Sequence, residues 1–137
     1  MINNNEQEQP IGELILRTLA MPADTNPHGD IFGGWIMSQM DIAGGILAKE
    51  VAESRVVTVA VDSIKFLRPA HVGDVVCCYG KVLKIGTTSV TIHLEIWVKP
   101  VKGLKKEEGK RYKVTQAAFT YVAVDEEGRK IPVLRRF

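Results

Sequence analysis

The strongest constraint in this chain is one long apolar stretch, Ile31 to Val51. It reads IFGGWIMSQMDIAGGILAKEV, and its first acid–base cluster comes only at Lys49 and Glu50. Just before it, Met21 to Asp30 (MPADTNPHGD) gathers two Pro, one Gly, two Asp and one Asn, the composition of a turn-rich loop. An apolar run this long between a loop and charged residues reads as a helix rather than a strand.

Around this helix the texture is that of strands. Glu13 to Ala20 (ELILRTLA) reads as a first strand. After the helix, Val56–Phe66, Asp74–Leu83, Thr87–Val98 and Tyr112–Val124 read as four more. In the third of these, Val90, Ile92, Leu94 and Ile96 alternate with Ser89, Thr91, His93 and Glu95, the period-two pattern of a half-buried strand. The breaks hold Arg68-Pro69 with Gly73, Lys84-Ile85-Gly86, a basic loop with Gly103 and Gly109, and Asp125 to Gly128. Each reads as a hairpin-type connection. The order is strand, helix, then four antiparallel strands. This predicts an α+β domain in which one helix packs on one face of about five to six strands. Four successive hairpins and no second helix exclude a doubly wound parallel sheet. A length of 137 residues fits one domain, and 45% apolar with 25% charged residues supplies an ordinary core. The expected layout is a flexible polar N-terminus over residues 1–10, the domain over 11–125 and a basic tail over 126–137.

No apolar run reaches the ~20 residues of a spanning helix. The first ten residues are polar, without the basic start and apolar stretch of a signal peptide. The expectation is a cytoplasmic protein with no membrane partner. Cys77 and Cys78 are neighbours that cannot readily bridge each other and form no CxxC pair. They read as reduced thiols on alternate faces of a strand, and no metal site is expected. The net charge of +2 hides a polarity: Lys99 to Lys113 holds seven basic residues against Glu107 and Glu108, and the tail adds Arg129, Lys130, Arg135 and Arg136. This half can meet an anion such as a phosphate. Equally, it can be a solvated loop that keeps a sheet edge from aggregating. No aromatics are interleaved with these cations to stack bases, so no nucleic-acid partner is expected.

The helix carries the functional signal. At about 100° per residue, Ile36, Met40, Ala43 and Leu47 fall on one apolar face. The opposite face carries Gly34, Ser38, Asp41, Gly45 and Ala48, small residues around the one ionisable side chain between Ile31 and Ala48. Gly in a helix interior costs ~1 kcal/mol against Ala, and Gly44 and Gly45 stand together here. Such a helix is expected to be covered on both sides, by its own sheet and by a second subunit or a ligand. Asp41 would then be either a general base or nucleophile in a crowded site, or a structural hydrogen-bond acceptor. Gly33 and Gly34 expose the first N–H groups of the helix, which lack internal partners, sit at the positive end of the dipole and can hold an oxyanion. Gly34 and Asp41 are seven residues apart, about 10 Å along the axis, too far for one reacting carbon to touch both. A symmetric dimer could bring the start of one helix beside Asp41 of the other. Asn26 is either a further donor to the same spot or an Asn-Pro turn residue. His28 reads as a loop residue, and Ser38 has no neighbour to activate it. No GxSxG, HExxH, P-loop or GxGxxG occurs.

Leu16 to Glu50, LRTLAMPADTNPHGDIFGGWIMSQMDIAGGILAKE, resembles the YciA-type acyl-CoA thioesterases, relatives of the brain acyl-CoA hydrolases. The resemblance continues through Val56–Val59, Phe66–Pro69, Val72–Tyr79 and Glu95–Lys99, and covers roughly Gly12 to Val124. It implies a hot-dog fold, with an antiparallel sheet wrapped around a central helix. It also implies edge-to-edge dimers that assemble as trimers of dimers, and hydrolysis of acyl-CoA to a free acid and CoA. Carried over by residue, Asp41 is the helical acid. Gly33 and Gly34 supply the oxyanion N–H groups, and Asn26 assists at the thioester carbonyl. Thr58 is the nearest candidate for placing the water. Asn26 and the glycines would come from one protomer and Asp41 from the other. Arg68, Gly86, Thr87, Thr88 and Ser89 are candidates for holding CoA, although Gly86 to Ser89 also reads as a plain hairpin turn. No cofactor is implied, since CoA is part of the substrate and product. The competing readings are a hot-dog dehydratase, weakened by the lack of a His in the helix, and a non-catalytic CoA- or nucleic-acid-binding module.

Overall fold

The computed structural model describes residues 9–99 and 110–133. The first strand, β1, is Glu13–Leu19, and a short 3-10 turn follows at Pro22–Asp24. The helix, α1, spans Gly33–Ala52, and four strands follow: β2 (Arg55–Phe66), β3 (Val75–Ile85), β4 (Ser89–Lys99) and β5 (Tyr112–Val124). All pair antiparallel in one sheet of order β1-β3-β4-β5-β2. The element order and the antiparallel five-strand sheet match the sequence reading. The hairpin count does not. β3–β4 and β4–β5 are neighbours, but β2 lies at the far edge beside β5, and the chain crosses from it to β3. Alternation identifies strands without ordering them. The order follows from the crossover Leu67–Asp74, whose backbone is tied down along its length. Leu67 N–H donates to Val114 O (2.7 Å), Ile31 N–H to Ala70 O (3.1 Å) and Gly73 N–H to Ala20 O (2.9 Å).

The core lies between α1 and the sheet. Val90, Ile92, Leu94, Ile96 and Val98 of β4 turn one face to it and are fully buried, as the alternation requires. Ile36, Met40, Ala43 and Leu47 meet them from the helix. Ala48, assigned from its angular position to the opposite face, is also fully buried and belongs to this core. Gly44 faces the sheet too: a Cβ there would overlap Tyr121 Oη and lie 2.9 Å from Leu94 Cδ1. Half of the Gly44–Gly45 pair is therefore explained inside one chain. The helix ends where Glu53 turns left-handed (φ 55°), its N–H donating to Lys49 O at 2.8 Å.

Cys77 and Cys78 are both buried, Cys78 in the helix-side core and Cys77 on the other sheet face. The basic stretch lies between β4 and β5, and its residues 100–109 lie outside the described residues, as do 1–8 and 134–137. Packing continues past residue 125. Asp125 to Arg129 form a tight turn, Ile131 N–H donates to Ala123 O (3.0 Å), Val133 N–H donates to Thr87 O (2.8 Å), and Val133 is buried. The start of the segment read as a tail is thus docked on the domain. Among the described residues, no helix is long and apolar enough to cross a membrane.

Candidate active site

Asp41 sits midway along α1, half-buried, on the side that faces β2 and β5. Two hydroxyls converge on its Oδ1. Thr58 Oγ1 of β2 donates at 2.6 Å and Tyr121 Oη of β5 at 3.1 Å. The same phenol lies 3.0 Å from the Asp41 carbonyl oxygen. Thr58 and Tyr121 are cross-strand partners, so the β2–β5 register delivers both. Burial, together with the Asp41 carboxylate, pushes the Tyr121 phenol well above its ordinary value, so it stays a neutral donor. No described residue donates to Asp41 Oδ2. Ile42 and Ile46 of the helix are exposed, and so are Val57 and Val59 of the edge strand β2, where Val57, next to Thr58, turns to the sheet face away from Asp41. Exposed apolar side chains on an unpaired edge strand and its neighbouring helix suit a contact surface.

The start of the helix forms a second arrangement. Phe32 is the N-cap and offers no side-chain cap, and the first turn holds no acid. The first helical bond runs from Ile36 N–H to Phe32 O (3.1 Å), leaving the N–H groups of Gly33, Gly34 and Trp35 without an acceptor among the described residues. Space around Gly34 is open, and a Cβ at Gly33 would only touch Phe66, 3.4 Å away. A cleft of about 360 Å³ opens here, lined by Asn26, Gly33, Ile36, Phe66, Arg68 and Val114 among others. Asn26 Oδ1 accepts from His28 N–H (2.9 Å) and Asp30 N–H (3.1 Å), so it is a turn residue. That bonding also leaves its Nδ2 free among the described residues, so the turn role and the donor role coexist. Arg68 lies over the Tyr112 ring, 5.7 Å from its centre, at the rim of the same cleft.

The structure therefore joins Asp41 with Thr58, and Asn26 with Gly33 and Arg68, in two places on one chain. Gly86, Thr87, Thr88 and Ser89 join neither. Gly86 N–H closes a turn on Ser89 O (2.8 Å), and Thr88 O accepts from Ala123 N–H (2.9 Å). Ser89 pairs with Val122 and Phe66 with Thr115, so seven residues of β5, roughly 23 Å, separate this turn from the cleft. Ser38 Oγ donates back to Trp35 O (2.6 Å) and is not activated. Tyr121 escaped the sequence reading. The signal for it was a hydroxyl-bearing ring at an inward position of β5, opposite a helix glycine.

A profile of the thioesterase superfamily matches residues 28–104. The acyl-CoA thioester hydrolase YciA of Escherichia coli strain K12 is 64% identical over 126 residues, covering 90% of this chain and 94% of that protein. The chain belongs to the acyl-CoA thioester hydrolase family. Among solved structures, the hexameric broad specificity acyl-coenzyme A thioesterase HI0827 superposes with TM-score 0.86 at 60% identity, over 94% of this chain and 86% of that one. The hexameric thioesterase y2039 from Yersinia pestis gives 0.85 at 58% identity, over 93% of this chain and 100% of that one. The sheet wrapped on one long helix is the hot-dog fold of this family.

Proposed function

We propose that the chain hydrolyses acyl-CoA to a free acid and CoA in a site shared between two protomers. One observation supports it above the rest. A held carboxylate and an open set of helix N–H groups lie on the same helix, about 10 Å apart along its axis. They serve one carbonyl only if they come from different chains. The exposed Ile42 and Ile46 of α1 and Val57 and Val59 of the edge strand β2 give a second chain apolar surface to cover, and the hexameric assembly of HI0827 and of y2039 is consistent with dimers assembled as a trimer.

In this reading the thioester carbonyl oxygen lies against the N–H groups of Gly33 and Gly34, with Asn26 Nδ2 as a further donor. They stabilise the negative charge that develops as the tetrahedral intermediate forms. Asp41 of the other chain either takes a proton from the attacking water or attacks the carbonyl carbon itself. Thr58 Oγ1 orients that carboxylate. When water attacks, the carbon–sulfur bond then breaks and CoA leaves as a thiolate that takes up the proton held by Asp41; when Asp41 attacks, the same cleavage leaves an acyl anhydride on Asp41, which water hydrolyses to the free acid, its proton going to the thiolate. Arg68 at the rim of the cleft supplies a cation for the CoA phosphates. Gly86, Thr87, Thr88 and Ser89 can contribute only from a neighbouring chain. No cofactor takes part, and the setting is the cytoplasm.

Asp41→Ala is expected to abolish thiol release from acyl-CoA with fold and assembly intact. Asn26→Ala is expected to lower the rate less. Mixing the two variants restores part of the activity, because some sites then combine an intact Asp41 with an intact Asn26. Full turnover by Asp41→Ala refutes the assignment, and mixtures no better than the sum of their parts refute the sharing.

A further inference from the structure

We propose that Tyr121, seated against Gly44, is the positioning residue that fixes the Asp41 carboxylate by its Oδ1 and leaves Oδ2 as the working oxygen. The inference rests on the assignment of Asp41 as base or nucleophile and goes beyond it by naming what orients that group. Thr58 donates to Oδ1 at 2.6 Å, and Tyr121 Oη shares its one proton between Oδ1 (3.1 Å) and the Asp41 carbonyl oxygen (3.0 Å), tying the carboxylate to its own backbone, while Oδ2 receives no donor from the described residues. A carboxylate held at one oxygen by two hydroxyls cannot swing. Its second oxygen then points wherever the first is pinned. The ring is 1% exposed and stacked on Phe119 with centroids 6.3 Å apart, so the hydroxyl has little freedom. Its place exists because residue 44 is Gly: any Cβ there would overlap Tyr121 Oη. A helix-interior glycine lowers helix stability, and here it clears the path from β5 to Asp41. Phe would fill the same core with no polar atom to satisfy, so packing alone does not call for the hydroxyl.

The groups packed around Asp41 are few. Tyr121 comes from β5, neutral Thr58 from β2, and Cys78 of β3 stands behind the phenol. β4 turns only apolar side chains inward, and Thr18 of β1 reaches Gln39 rather than Asp41.

The test is Tyr121→Phe in the full-length protein, assayed by thiol release from hexanoyl-CoA. The expected result is a kcat lowered roughly tenfold with KM within about twofold, the split of a misaligned reacting group rather than of lost substrate binding. Gly44→Ala, which keeps the hydroxyl but displaces it, lowers kcat in the same way. Val51→Ala weakens the same buried core at the far end of α1 and leaves kcat and KM where they were. An unchanged kcat in Tyr121→Phe, with Asp41→Ala inactive, overturns the proposal and spares the Asp41 assignment. An active Asp41→Ala overturns the assignment itself. If Tyr121→Phe does not fold, an unchanged kcat in Gly44→Ala overturns the proposal.

Discussion

Two adjacent glycines in α1 should respond to alanine with opposite signs. Ala for Gly inside a helix gains about 1 kcal/mol from backbone entropy alone. At Gly45 the nearest atom to a new Cβ is Tyr121 Cε2 at 3.9 Å, an ordinary contact, so most of that gain survives within one chain. At Gly44 the new Cβ overlaps Tyr121 Oη and lies 2.9 Å from both Tyr121 Cζ and Leu94 Cδ1. A buried ring tied to Asp41 does not yield like the end of a flexible chain. Overpacking of this kind costs about 1–3 kcal/mol, and loss of the phenol's hydrogen bond about 1 more. After the propensity gain, Gly44→Ala is destabilising by roughly 1–3 kcal/mol. At roughly 4 °C per kcal/mol for a chain of this size, its melting temperature falls by about 4–12 °C. Thermal unfolding followed by circular dichroism, at several protein concentrations, measures both variants. Gly45→Ala melts above the parent at low concentration, and loses that margin where assembly brings a second chain against the new methyl. A Gly44→Ala melt at or above the parent's refutes the reasoning, because it means that the Tyr121 hydroxyl does not lie against residue 44.

Other expectations follow from buried titratable groups. Glu95 is buried on the sheet face away from the helix and accepts from Trp97 Nε1 (2.8 Å) and Ile11 N–H (3.2 Å), with His93 Nε2 at 2.7 Å from its other oxygen. Burial opposes its ionisation, but these bonds outweigh that and hold its carboxyl below the ordinary value. A depressed folded pKa means stability present above the unfolded value and lost as pH falls. Resistance to urea should therefore fall below about pH 4.5, and Glu95→Gln should flatten that part of the curve. Burial, with Cys77 and Glu95 nearby, pushes the Cys78 thiol up to about 12. Iodoacetamide at pH 8 should leave Cys78 unmodified in the folded protein and alkylate it rapidly in urea, as peptide mass spectrometry would show.

The sequence carried the elements further than their arrangement. Apolar length identifies α1 and period two identifies β4, because each pattern is set by which face is buried. Strand order is different. Val56 to Phe66 alternates in the same way whether it pairs with β3 or β5, and only the tethered crossover at Leu67–Asp74 decides for β5. The helix faces were legible near Ile36 and Met40. At Ala48 a division into two opposite faces fails: on an ideal wheel it lies about 80° from Met40, at the boundary, and it is buried in the chain's own core. Asp41, Gly33 and Gly34 stood out because a charge and paired glycines are rare in an apolar helix. Tyr121 looked like one more inward aromatic, and its role depends on a register that no local pattern encodes.

The placement of Asp41 explains why one chain is insufficient under the proposed reading. A carboxylate at position 38 would lie only about 6 Å along the axis from Gly34, close enough to share a carbonyl. Among the described residues no strand side chain hydrogen-bonds there: the Ser38 hydroxyl turns back onto Trp35 O of its own helix. Position 41 is where β2 and β5 can hold an acid, since Thr58 and Tyr121 pair there and Gly44 lets the phenol through. Unpartnered N–H groups exist only at the first turn, so the oxyanion site cannot move to meet the acid. One function needs the middle of the helix and the other needs its start. Only a second copy of the chain brings the two together, and the exposed apolar side chains of α1 and the edge strand β2 are what such a copy would bury.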